Sequence, residues 1–199
     1  MAEPKKFSKP RKQRGFKKGK QGITSIEDAL AGARPKLASS PEEDEAREVA
    51  YRICGDFQDS LKIAKQFLTL RENPDYDGIT LPEAVYMLWL EASQVEYVYQ
   101  NQLYGGRLKF GGAVPDFLLV EENVMVLVQG EYWHNPANFP GKQARDELLI
   151  TKMLGTIING VLVSAVIQLW ESDVLGCNRE FHFRNSVAGV ESSLPPWAT

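Results

Sequence analysis

The sequence predicts an α/β (α+β) domain, a mixed central sheet flanked by helices, preceded by a helical extension. Three observations carry this. Apolar residues recur at steps of three or four after residue 41 and again after residue 80, each time behind a residue suited to cap a helix. Residues 95–128 read as a meander of strand segments separated by turn residues. A further helix and strand follow over 140–170. There is no internal repeat.

The first helix is predicted to start at "SSPEEDEAREVAYRI". Ser40 can cap, Pro41 suits the first position, and Glu42, Glu43 and Asp44 favour the positive end of the dipole. Val49, Ile53, Phe57, Leu61, Ala64 and Leu68 then continue one apolar face to about residue 71, where "NPDYDG" breaks it. "TLPEAVYMLWLEAS" predicts a second helix, with Thr80 as cap and Glu83 in the first turn. Val95–Leu103 is partly alternating and aromatic, hence a strand. "YGGRLKFGGAVP" has two Gly-Gly pairs around a short run, the signature of a hairpin. Strands at Phe117–Val120 and Val124–Val128 flank the polar turn Glu121-Glu122-Asn123. The second is apolar throughout, as expected of a strand covered on both faces. A helix over 140–156, a strand over Val161–Trp170 and a closing helix or pair over 172–191 complete the domain. Three sections result: a disordered basic tail at 1–40, a helical extension at 41–78, and the main domain at 79–199.

Charge is unevenly spread. The net charge is −3, yet residues 1–20 carry nine basic residues against Glu3 alone, a net of +8, and the rest of the chain has 14 basic and 25 acidic groups. A basic arm on an acidic body suits attraction to a polyanion; a solubilising or targeting tail is the plainer alternative. No apolar run approaches the roughly 20 residues that span a bilayer, and no apolar stretch follows the basic start as a secretory signal requires. Cys54 and Cys177 are isolated in sequence, without a CxxC pair or a histidine at ligand spacing, so zinc is not expected and a reducing, cytoplasmic setting is the default.

Chemistry concentrates between 115 and 146. Asp116 opens one strand, and the neighbouring strand ends twelve residues later at Val128-Gln129-Gly130. In a hairpin these ends lie side by side. A carboxylate and a main-chain carbonyl are hard oxygen donors that suit Mg²⁺, with water completing the shell. His134 can serve as general base or acid near that point, and Glu83 can supply a second carboxylate. Tyr132 and Trp133 can stack on a base or pack under the next helix. Lys142 and Arg145, one turn apart, and Arg107 and Lys109 on the Gly-rich hairpin can contact phosphate.

"PDFLLVEENVMVLVQGEYWH" resembles the very short patch repair endonucleases and their relatives in the PD-(D/E)xK, restriction-endonuclease-like superfamily. The matching run is Glu83, Gln100, Pro115-Asp116-Phe117, Gly130 and Trp133-His134, and "LWESDVL" at 169–175 resembles the strand end after the next helix. The resemblance covers about residues 80–175. It implies a restriction-endonuclease-like fold for 79–199, Asp116 and the Val128 carbonyl as metal donors, His134 as catalytic histidine and Glu83 as the helix glutamate. Asp146 is an additional acid by the same likeness. Departures narrow the expectation. Gln129 stands where the repair enzymes carry a second histidine, and Leu127 and Gln129 stand where other branches carry acids. A single Mg²⁺, replaceable by Mn²⁺, is therefore expected, with no structural zinc and no T·G mismatch repair.

These readings predict a metal-dependent DNA endonuclease that nicks or cuts phosphodiesters, fitting a phage or mobile-element setting. The alternative is a nucleic-acid-binding or assembly module on the same fold with reduced chemistry, its helix 41–71 packing on a protein partner or a second copy. An RNA-directed enzyme ranks third, for want of any RNA-binding signature.

Overall fold

The computed structural model describes residues 40–99 and 115–198. The predicted tail, the Gly-rich hairpin, and with them Gln100, Arg107 and Lys109, lie outside the described residues. Ser40 caps α1 (Pro41–Ala50), its hydroxyl accepting from the Glu43 N–H at 3.2 Å. The single helix expected over 41–71 is in fact two. Gly55 takes a backbone conformation with φ +138°, and the Asp56 carboxylate caps α2 (Phe57–Arg71) by accepting from Gln58 and Asp59 N–H groups. Apolar spacing runs through the break because Ala46, Ala50, Ile53, Ala64 and Phe67 are all buried. A 3₁₀ turn at Pro74–Tyr76 leads to α3 (Leu81–Ala92), which starts at Thr80 as expected.

The sheet is mixed. β1 (Tyr97–Tyr99), β2 (Phe117–Leu119) and β3 (Val124–Gln129) are antiparallel neighbours, and β6 (Ala165–Trp170) lies parallel to β3 on its other side. The β3–β6 crossover runs through α4 (Glu131–His134, one turn) and α5 (Lys142–Met153). The expected strand Val161–Trp170 is interrupted. Val161–Leu162, β5, folds back on β4 (Ile157–Ile158) through Asn159 and Gly160, both with positive φ, a two-residue hairpin turn whose Asn-Gly signal is present in the sequence. Ser164 then anchors the restart, donating from N–H and hydroxyl to the Asn123 carbonyl. A pair of short helices, α6 (Glu171–Leu175) and α7 (Arg179–Val187), follows. Among the described residues no helix is long and apolar enough to cross a membrane.

Alternation along the strands splits the core into two layers. Phe117, Leu119, Val124, Val126, Ile167 and Leu169 join α3, α6 and α7 in one cluster; Leu118 and Met125 join Leu149, Met153, Ile158 and Val163 in the other. Val124–Val128 of β3 is thus apolar without a break because both faces of the strand are covered, as its sequence predicts. The first layer is aromatic: Tyr86 meets Phe117 at 5.2 Å and Phe183 at 5.0 Å, both edge-on. Ser186 donates to the Phe183 carbonyl at 2.7 Å, so the Tyr86 hydroxyl, 2.8 Å away, donates to Ser186. Tyr86→Phe is expected to cost about 1 kcal/mol by denaturant unfolding with an unchanged slope, because it deletes one buried hydrogen bond and no volume.

The two cysteines are not isolated in space. Cys54 and Cys177, 123 residues apart, form a disulfide with their Cα atoms at 4.9 Å. The α1–α2 break and the α6–α7 turn bring them together, a juxtaposition that spacing along the chain does not encode.

Candidate active site

Glu83 and Asp116 come together. Thr80 and Glu83 form a reciprocal cap at the start of α3: the Thr80 N–H donates to Glu83 Oε2 at 2.7 Å, and Thr80 Oγ1 accepts from the Glu83 N–H. The Tyr99 hydroxyl also donates to Oε2, at 3.4 Å. The Glu83 carboxyl thus accepts two hydrogen bonds on one oxygen, and the residue is only 6% exposed. Its capping role, the plain explanation for a glutamate at that position, is real and does not consume the carboxyl. Glu83 also lies within hydrogen-bonding reach of Asp116.

Asp116 Oδ2 accepts the Val128 N–H at 2.7 Å. The N–H and C=O of one strand residue face the same side, so the Val128 carbonyl also faces β2. Pairing of β2 with β3 starts at Phe117 opposite Val126, and Pro115, two residues before it, has no N–H to offer that carbonyl. Burial pushes the Asp116 carboxyl well above its ordinary range, and the Glu83 charge adds to the rise; the Val128 N–H pulls the other way without offsetting them. Two carboxyl groups meet beside the end of β3, and carboxyl oxygens are hard donors of the kind that divalent cations take. Among the described residues no group of three or more His, Cys, Asp or Glu side chains converges in this way.

His134 belongs to a second constellation. β3 ends at Gln129, Gly130 caps the one-turn α4, and Glu131 reaches away to accept the Ser172 N–H at 2.9 Å, capping α6. His134 Nδ1 sits 2.6 Å from Asp146 Oδ2, and Lys142 Nζ lies 3.3 Å from the other Asp146 oxygen. Burial tends to raise the Asp146 carboxyl, but His134 and then Lys142 outweigh it and hold the group below its ordinary range. An Nδ1–H donated to this carboxylate leaves Nε2 with its lone pair, the tautomer a general base needs. The ring meets the Trp170 edge at 6.0 Å, and Trp170 in turn meets Trp197 at 4.8 Å. A hollow of about 70 Å³ lies among His134, Gln143, Asp146, Gln168 and Trp170. That is enough to admit water.

Beside it lies an aromatic face. Tyr132 and Trp133 are 64% and 61% exposed, so neither is packed under the following helix. They contact each other at 5.0 Å and Phe139 at 5.9 and 5.3 Å. Trp133 and Phe139 share an open hollow with Lys142 and Arg145, of about 580 Å³. Gln129 is turned elsewhere, buried and donating to Gln168 at 3.3 Å.

The structure therefore groups Glu83, Asp116 and Val128, and separately groups His134, Asp146 and Lys142; a direct contact between Asp116 and His134 is not among the interactions that hold either. β3 links the groups, with Val128 bound to Asp116 at one end and α4 following Gln129. Phe139, Tyr99, Trp170 and Trp197 were not singled out from sequence. Phe139 carried a signal, since a third aromatic close behind Tyr132 and Trp133 in a loop suits a shared surface; Trp197 lies in a segment with no periodicity to place it. In comparisons with known proteins, no family model, curated protein or solved structure matches the chain.

Proposed function

We propose that this chain is a divalent-metal-dependent DNA endonuclease with a restriction-endonuclease-like fold over 79–199. The observation that carries the reading is the desolvated Glu83–Asp116 pair at the end of β3. Two carboxyl groups forced together away from water are costly unless a proton or a cation lies between them. The order helix, three antiparallel strands, helix, parallel strand supports the reading, because it delivers the Glu, Pro-Asp-Phe and Trp-His stretches of the resemblance to the same end of the sheet.

Asp116, Glu83 and the Val128 carbonyl would hold Mg²⁺ or Mn²⁺. Bound there, the cation supplies charge stabilisation for the phosphate and the leaving 3′-oxygen. His134 Nε2 accepts a proton from water, Asp146 keeps the ring in the required tautomer, and Lys142 and Arg145 bind phosphate. Tyr132, Trp133 and Phe139 offer bases a stacking surface beside the reacting strand.

A second reading, a binding or assembly module, draws support from Gln129, which is buried and paired with Gln168 rather than free at the end of β3. Supercoiled plasmid separates the two. The nuclease reading expects nicked or linear product with Mg²⁺ or Mn²⁺ and none with chelator. Retardation of duplex, single-stranded, mismatched and branched DNA without cleavage of any of them would establish the binding module instead.

A further inference from the structure

The α1–α2 linker is fastened to the turn between α6 and α7 by more than van der Waals contact. The Cys54 N–H donates to the Leu175 carbonyl at 2.8 Å. The Arg179 guanidinium donates to the carbonyls of Cys54 and Gly176. Arg52 pairs with Glu171 at 3.1 Å. The Cys54–Cys177 bond closes over these contacts, and it is placed to be reached from solvent: Cys54 is partly and Cys177 well exposed. Glu171 and Ser172 lead from there to the site, because the Ser172 N–H is held by Glu131, the first residue of the turn that carries His134. The chain has no third cysteine, so no alternative pairing competes.

We propose that Cys54–Cys177 is a reversible redox staple. Closed, it fixes the α1–α2 linker on the α6–α7 turn and steadies the His134 turn; open, it leaves that attachment to the apolar packing of Ile53, the hydrogen bonds and one exposed ion pair, the last of which holds weakly. Closure proceeds by thiol–disulfide exchange with a low-molecular-weight disulfide. One cysteine thiolate attacks that disulfide, releasing one small thiol and leaving a mixed disulfide; the other cysteine then displaces the second small thiol. Two protein thiols are oxidised, one small disulfide is reduced, and the two cysteine protons end on the departing thiols. The link to His134 bears on catalysis only under the nuclease reading, but the staple itself does not depend on it.

The full chain, equilibrated with oxidised glutathione or with dithiothreitol, tests this. Oxidised chain is expected to show no titratable thiol after denaturation and reduced chain two, with a thermal midpoint lower by about 10 °C in the reduced form, the scale for opening a loop of this length in a domain of this size. Hydrogen exchange is expected to quicken on reduction over 41–56, 171–177 and 131–134. Cys54→Ser/Cys177→Ser should behave as reduced chain in both buffers; if it does not fold, reduced wild type supplies the same comparison. Two titratable thiols persisting in oxidised glutathione, or equal midpoints and equal exchange in the two states, would overturn the proposal. None of these readouts involves nucleic acid, so their failure is distinct from a failure to cut plasmid.

Discussion

Asp116→Asn is expected to lower metal-dependent cleavage by about 10³-fold and, in metal-free protein at neutral pH, to raise the thermal midpoint. The two effects have one origin. The Asp116 carboxyl is raised well above 3.8 by burial and by Glu83. A carboxyl whose pKa is higher in the folded chain favours folding when protonated. That contribution is complete below the ordinary value and is lost as pH rises through the raised one. At pH 7–8 the wild-type site must therefore ionise against its neighbour or retain a proton it would release in water. Asparagine keeps the shape, can still accept from the Val128 N–H through Oδ1, and carries no charge. Each kcal/mol recovered moves the midpoint by roughly 2–4 °C in a domain of this size. The gain should shrink as pH falls and vanish only well below 3.8, where the wild-type carboxyl is protonated in both states. Added Mn²⁺ should raise the wild-type midpoint, more at pH 8 than at pH 6, and leave Asp116→Asn unmoved. Several kcal/mol of charge stabilisation on the phosphate disappear with the site, which sets the scale of the rate loss. Calorimetry across pH and plasmid cleavage are the measurements. A variant that cuts normally, or is less stable than wild type at neutral pH, would remove Asp116 from the role proposed here.

Much of the scaffold behind this site was legible in local chemistry. Thr80 with Glu83 three residues on is a capping signal, and the capping box forms. Val124–Val128 is apolar without alternation, and it is covered on both faces. Two errors share a cause. Periodicity carried the first helix across Gly55-Asp56 although Gly55 was there to stop it, and apolar content carried the last strand across Val163-Ser164 although the preceding Asn159-Gly160 turn marks Val161-Leu162 as half of a hairpin. Burial pattern reports which side faces the core and is silent on whether the chain is continuous. The site was legible only in part. Neighbouring strand ends follow from a hairpin, so Asp116 beside Val128 was predictable. The Cys54–Cys177 pair, the Gln129–Gln168 pair and the packing of Trp197 on Trp170 depend on how distant segments cross, and no local rule encodes that.

Separation of the two groups leads to the second large effect: His134→Ala is expected to slow cleavage by 10² to 10⁴-fold, the range for losing a general base, and Asp146→Asn by about 10 to 100-fold, the range for losing a group that orients one. Asp146 touches His134 and Lys142 and is held below the ordinary carboxylate range by them once its own burial cost is overcome. A depressed folded pKa contributes stability above the unfolded value and loses it as pH falls through the folded one, so across the neutral range Asp146 stays ionised. An amide at 146 cannot stabilise an imidazolium as a carboxylate does. The acid limb of the pH–rate profile should therefore move to lower pH in Asp146→Asn, with kcat reduced and KM for plasmid little changed. A residue that merely supported the fold would lower the amount of active protein and leave the profile in place. Glutamate at 146 should restore part of the rate and return the limb toward its original position. If His134→Ala retained full activity, or Asp146→Asn left the profile untouched, the dyad would be a structural feature of the α4–α5 corner and the proton would have to leave by another group.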